Sequence, residues 1–155
     1  MNNTHFPGKL LSFLAVLYLL LASANLQAKQ HLAISLKGAS AIPPVATTAK
    51  GRGKIIVFPN RMVSGYIHSS GFVATKAYIH VADVGENGPP IITLNKTSSG
   101  SFEVPDDARL TKSQYKSYMD GKLYVNVRST RYPAGEIGAQ VARYRTSARP
   151  FYRID

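Results

Sequence analysis

The side chains with chemistry to offer gather in two short stretches. In KAYIHVADVGENGPPIITL, residues 76–94, Tyr78 and His80 stand two apart with Ile79 between them. In YVNVRSTRYPAGEIGAQ, residues 124–140, Asn126, Arg128, Glu136 and Gln140 are set among Val and Ile. Extended backbone sends successive side chains to opposite faces, so Tyr78 and His80 share a face, as do Tyr124, Asn126 and Arg128. A functional His80 would ligate a metal or move a proton. A structural His80 would donate from one ring nitrogen to a loop carbonyl and hold the 86–90 turn, and an imidazole with no partner in sequence favours that role. The turn Tyr132-Pro133-Ala134-Gly135 brings Glu136 back towards Arg128, where the two can form a charge-assisted pair. Asn126 and Gln140 can satisfy backbone groups that a sheet ladder leaves unpaired. Pro133 sets the entry to the turn and Gly135 suits a positive-φ position. Tyr78, His80, Asn126, Arg128, Glu136 and Gln140 together read as a polar brace that needs no ligand.

Other catalytic arrangements are missing. The chain has no cysteine, no G-x-S-x-G elbow, no H-E-x-x-H and no phosphate-cradling glycine loop. Its 8 acidic residues are scattered, with no pair suggestive of glycoside hydrolysis. Past residue 30 the only histidines are His31, His68 and His80, and His31 lies at the ragged start of the mature chain, a poor place for a ligand. The expectation is no enzyme, no catalytic residue, no cofactor and no metal, with His80 the one weak candidate for a metal ligand.

The elements that must position the polar stretches are short and β-rich. LAISL (residues 32–36), KIIVF (54–58), MVSGYIH (62–68), KAYIHV (76–81), IITLN (91–95), LYVNVRS (123–129) and EIGAQVARY (136–144) are rich in Val, Ile and Tyr, and many alternate. Gly and Pro turns divide them. Seven such strands predict an all-β antiparallel β-sandwich. One stretch differs: in LTKSQYKSYMDGK, residues 110–122, Thr111 and Gln114 have the spacing of a capping box. Leu110, Tyr115, Tyr118 and Met119 can form one apolar face, and Gly121 suits a left-handed cap. A short helix is predicted at about 113–120.

The chain's start and its charge bear on where it works. Lys9 precedes an apolar run of roughly 13 residues, short of the ~20 that span a bilayer, and small residues follow at Ala22-Ser23-Ala24 and at Ala28. A signal peptide over residues 1–28 is expected, cleaved after about residue 24 or 28; an uncleaved anchor is the alternative. No transmembrane anchor is expected after its removal, and the setting is periplasmic or secreted. The domain then covers residues 29–145, a length that buries a core without disulfides. Residues 146–155 are expected to form a basic, loose tail, and Arg143 and Arg145 just before it, with Arg149 and Arg153 within it, are the anion-binding candidates. The formal charge of +11 favours anionic partners. Export makes nucleic acid the least suitable of them.

Four landmarks, in order, resemble the CHRD (chordin) domain family: G-x-x-x-x-P-P-V from Gly38, an I-H strand followed by N-G-P, D-G-x-L-Y-V-N-V from Asp120, and P-A-G-E-I from Pro133. Together they cover residues 32–141. The resemblance implies an immunoglobulin-like β-sandwich and a binding role, as in chordin, which sequesters protein ligands, or in exported bacterial relatives. It also implies departures here. The family has H-I-H where this chain has Tyr78-Ile79-His80, a histidine where it has Arg128, and an arginine where it has Gly138. Members with all three histidines can assemble a metal site from adjacent strands; this chain keeps one. Arg128 thus adds a guanidinium near the position where Gly138 removes one, so an Arg128–Glu136 pair is the expected substitute. The reading is an exported, non-enzymatic CHRD-type module that binds an anionic envelope component or another exported protein. A metal-binding protein centred on His80 and a sequestrant of protein ligands are the alternatives. Oligomeric state is not legible.

Overall fold

The computed structural model describes residues 33–143. The leader expected over residues 1–28, His31, the tail from residue 146, Arg145, Arg149 and Arg153 lie outside that range. Nine strands and one helix follow in order. They are β1 (Ala33–Lys37), β2 (Lys50–Val57), β3 (Val63–Ser70), β4 (Ala74–Val81), β5 (Pro90–Thr93), β6 (Asn95–Ser98), β7 (Ser101–Glu103), α1 (Lys112–Met119), β8 (Leu123–Ser129) and β9 (Ile137–Gln140). All pairings are antiparallel, in the order β5-β4-β8-β9-β1-β2-β3-β7-β6. The all-β, sandwich-like fold with one short helix is the one expected.

The strand order itself shows that the sheet doubles back. β5 and β6 sit at its opposite ends, yet only Leu94 separates them in the chain. The two edges must therefore meet, and they do: Leu94 N donates to Ala77 O at 3.0 Å and Lys96 Nζ to Ala74 O at 2.7 Å, both on β4. Curling encloses one face of every long strand. Ile34, Leu36, Ile55, Val63, Ile67, Ile79, Phe102, Val125, Val127 and Ile137 fill that interior. Each fully buried side chain of this kind contributes about 1.5–3 kcal/mol.

The helix starts one residue earlier than predicted and has the predicted cap. Thr111 Oγ1 accepts from Gln114 N at 3.1 Å, and Gln114 Oε1 accepts from Thr111 N at 2.8 Å. Gly121 adopts φ +77° just past the end, a conformation with little penalty only without a Cβ. Leu110 and Tyr118 are buried, but Met119 is 46% exposed and lies off the predicted apolar face. β6 and β7 were not predicted. β2 begins at Lys50 rather than Lys54, because Lys50-Gly51-Arg52-Gly53 pairs in full with both β1 and β3.

Candidate functional site

Two stretches of the sheet's outer surface carry polar side chains. The first lies on β4, β8 and β9. Their registers set Tyr78 opposite Asn126, His80 opposite Tyr124, Lys76 opposite Arg128 and Tyr124 opposite Gln140. Tyr78, His80, Asn126 and Arg128 therefore meet on one face. β8 is central, and its outward residues Tyr124 and Asn126 are as buried as its inward ones. Loops 82–89 and 130–136 cover them.

His80 is 1% exposed. Its Nδ1 donates to Gly88 O at 2.7 Å, because a carbonyl can only accept, and this leaves the lone pair on Nε2. Tyr124 stacks on the imidazole with 4.9 Å between centroids, and its hydroxyl accepts from Gly88 N at 3.1 Å and donates to Asn87 Oδ1 at 3.0 Å. Both rings thus clamp the 82–89 loop. Burial holds the His80 pKa below its usual 6.5; the bond to Gly88 O works the other way, and the Arg128 charge adds to the lowering. His80 is a neutral imidazole at neutral pH. Sequence reading missed Tyr124 as the second clamp, although its place on the polar face of LYVNVRS was a usable signal.

Asn126 Nδ2 donates to Ala134 O at 2.8 Å and holds the second loop. Gly135, at φ +148°, passes so close that a Cβ there would lie 2.3 Å from Asn126 Oδ1. Gln140 Nε2 donates to Gly121 O and ties β9 to the end of α1.

Arg128 and Glu136 do not pair. The ion pairs among the described residues are Lys116–Asp120 at 2.8 Å and Lys122–Asp83 at 2.6 Å. The Arg128 guanidinium turns towards β4, its Cζ 4.5 Å above the Tyr78 ring. Glu136, 5% exposed, turns the opposite way and accepts from Thr47 Oγ1 at 2.8 Å, while its N–H donates to Val127 O. The β8–β9 pairing ends at Val127, so Arg128 has a strand neighbour on the β4 side alone, and the Tyr78 ring there receives its cation. His80 Nε2, Asn126 Oδ1 and Arg128 Nε make no hydrogen bond. Among the described residues no three of His, Cys, Asp and Glu gather as a metal cluster.

The second stretch lies on β1, β2 and β3. Direct opposition sets Lys37 against Lys50, Ser35 and His68 on either side of Arg52, and Tyr66 against Lys54. Lys37, Lys50, Arg52 and His68 are exposed and line a cleft of about 730 Å³ together with Ser35 and Thr47. No carboxylate lines it. Like charges set directly opposite destabilise a sheet pair, and none of these cations has an acidic partner among the described residues. The K-x-R-x-K alternation of residues 50–54 was the overlooked signal. Of the arginines proposed from the tail, Arg143 is described: its Nη1 donates to Met119 O at 2.6 Å, at the C-terminal end of α1.

The family model for the CHRD domain matches residues 32–141. The chain belongs to the CHRD domain family. No curated protein and no solved structure matches it significantly. CHRD domains are found in extracellular or secreted proteins and are modules of the kind that bind ligands. Among the described residues no helix is long and apolar enough to cross a membrane.

Proposed function

We propose that this CHRD domain is an exported, non-enzymatic binding module whose ligand is anionic and seats in the cleft of β1–β3. One observation carries the reading: four basic or imidazole side chains line a concave site that contains no carboxylate. The outer face of β4 and β8 does not compete for this role, because His80, Tyr124 and Asn126 are buried beneath loops 82–89 and 130–136 and bonded to them. Retention on an anionic matrix tests the proposal. The protein should stay bound at an ionic strength of about 0.15 M, where exposed charges more than ~8 Å apart are screened from one another. Lys50→Gln/Arg52→Gln should elute well below that point. Elution of both proteins together at low salt would reduce the interaction to diffuse charge and overturn the reading.

A metal-binding role centred on His80 keeps one supporting feature. An imidazole whose Nδ1–H is fixed by a carbonyl and whose Nε2 is unpartnered has the form used by metal-ligating histidines. The guanidinium of Arg128 beside it opposes a cation. Stoichiometric zinc or copper in protein purified without added metal would favour this second reading.

A further inference from the structure

The anionic ligand's shape can be read from β2. In Lys50-Gly51-Arg52-Gly53-Lys54, the two glycines lie opposite Leu36 and Ile34 and face the interior, so Lys50, Arg52 and Lys54 all face outward. Side chains two apart on an extended strand are separated by roughly 6.8 Å, so the three cations are spread over roughly 14 Å. Lys37 widens the row at one end, and Tyr66 flanks it at the other, beside Lys54. The Tyr66 ring is 43% exposed and lies 5.0 Å from the His68 ring, centroid to centroid. The Glu103 carboxylate, opposite Tyr66 on β7, closes the basic stretch on that side.

Standing side by side along the strand, three cations match an anion repeated along a chain better than a single small one. We propose that this face binds a linear acidic polysaccharide, laid along β2 with successive charges on Lys50, Arg52 and Lys54. The proposal rests on the anionic-ligand reading and goes on to name the ligand's class. Three features favour a polysaccharide over other polyanions. Lys37, Lys50 and Arg52 line a cleft, which admits a chain but not the flat surface of a bilayer, and Lys54 continues the row beyond it. Ser35 and Ser70 line the same cleft with hydroxyls, suited to a hydroxyl-bearing ligand. Among the described residues the exposed rings beside the row are Tyr66 and His68, tilted against each other at 47° rather than spaced along β2, whereas single-stranded nucleic acid is held by stacking base after base.

Titration of the full chain with oligogalacturonates of graded length tests this, with inorganic phosphate, single-stranded DNA and phosphatidylglycerol vesicles in parallel arms. Affinity should climb with oligomer length until the chain spans the row, and should exceed that for phosphate by at least tenfold. The salt dependence should lose about one unit of slope for each of Lys50→Gln, Arg52→Gln and Lys54→Gln, as counterion release requires. A control that removes as much charge elsewhere, Lys76→Gln/Lys112→Gln/Arg131→Gln, should bind like the parent. Phosphate binding equal to that of the longest oligomer would leave the anion site standing and overturn the linear ligand. Tighter binding to DNA or vesicles, or equal loss in the control, would overturn it too. Failure to bind any of the four would remove the anionic-ligand reading itself.

Discussion

The outer face of β4 and β8 and the outer face of β1–β3 belong to one sheet and follow the same alternation, yet they end in opposite states. On β4 and β8 the outward side chains beneath the loops are buried: His80, Tyr124 and Asn126 are 1%, 3% and 2% exposed, and each is bonded to a loop folded over it. On β1–β3 the outward Lys37, Lys50, Arg52 and His68 stand in solvent around a cleft. A polar row in a strand is therefore not in itself a site. The difference lies in what covers it. Side chains that hold a loop are shut off from solvent by it, whereas uncovered like charges, with no ion-pair partner among the described residues, gain from a ligand of opposite sign.

The sharpest way to break this comparison is His80→Ala. It removes a stacked, fully buried ring and the bond to Gly88, and should cost about 3 kcal/mol in denaturant unfolding. The Gly88 amide should lose hydrogen-exchange protection more than the core amides do. An unchanged midpoint would deny the brace. Gly135→Ala comes next: the added Cβ would meet Asn126 and require a strained φ, for about 2 kcal/mol of destabilisation, seen as a lower unfolding midpoint.

Acid should act on the covered face through His80. His80 has a folded-state pKa below 6.5, so between 6.5 and that lower value the unfolded chain holds the extra proton. The contribution of His80 is complete above about pH 6.5 and declines as the pH falls towards the folded-state pKa. Urea midpoints at pH 7.5, 6.5 and 5.5 should therefore fall in the parent and fall less in His80→Gln. Parallel declines would place the sensitivity elsewhere.

Smaller effects separate the faces further. Arg128→Met keeps the side chain's apolar stem and loses the cation over Tyr78, which should cost about 1 kcal/mol. A double-mutant cycle with Glu136→Gln should give a coupling below about 0.5 kcal/mol, since the two side chains turn apart. The smallest change in stability is expected for Lys50→Gln/Arg52→Gln/Lys54→Gln, within about 0.5 kcal/mol of the parent, alongside the greatest loss of anion binding. A large destabilisation there would mean that the basic face, too, is structural.

Much of this was legible in the chain as written. Val-x-Val alternation marked β8, Ile79-x-Val81 marked β4, the Thr111 and Gln114 spacing marked the start of α1, and Gly121 marked its end. These signals are local: each depends on residues within one turn or one strand. The family landmarks extended that reading over residues 32–141. The β6–β7 hairpin escaped because Asn95-Lys96-Thr97-Ser98 is exposed throughout and offers no apolar period. The start of β2 escaped because Gly-Arg-Gly has poor strand propensity and pairs only because β1 and β3 flank it.

What the sequence determined by itself was which residues share a face and where the strands turn, because alternation and turn chemistry act between near neighbours. Only the tertiary structure decided what each face meets. The preference of Arg128 for the Tyr78 ring over Glu136 depends on β4 lying beside β8, which brings together residues some fifty positions apart. Glu136 found its hydroxyl on Thr47, 89 residues away. Nothing local in the chain encodes such choices, since they are settled by register and by which loop closes over which row.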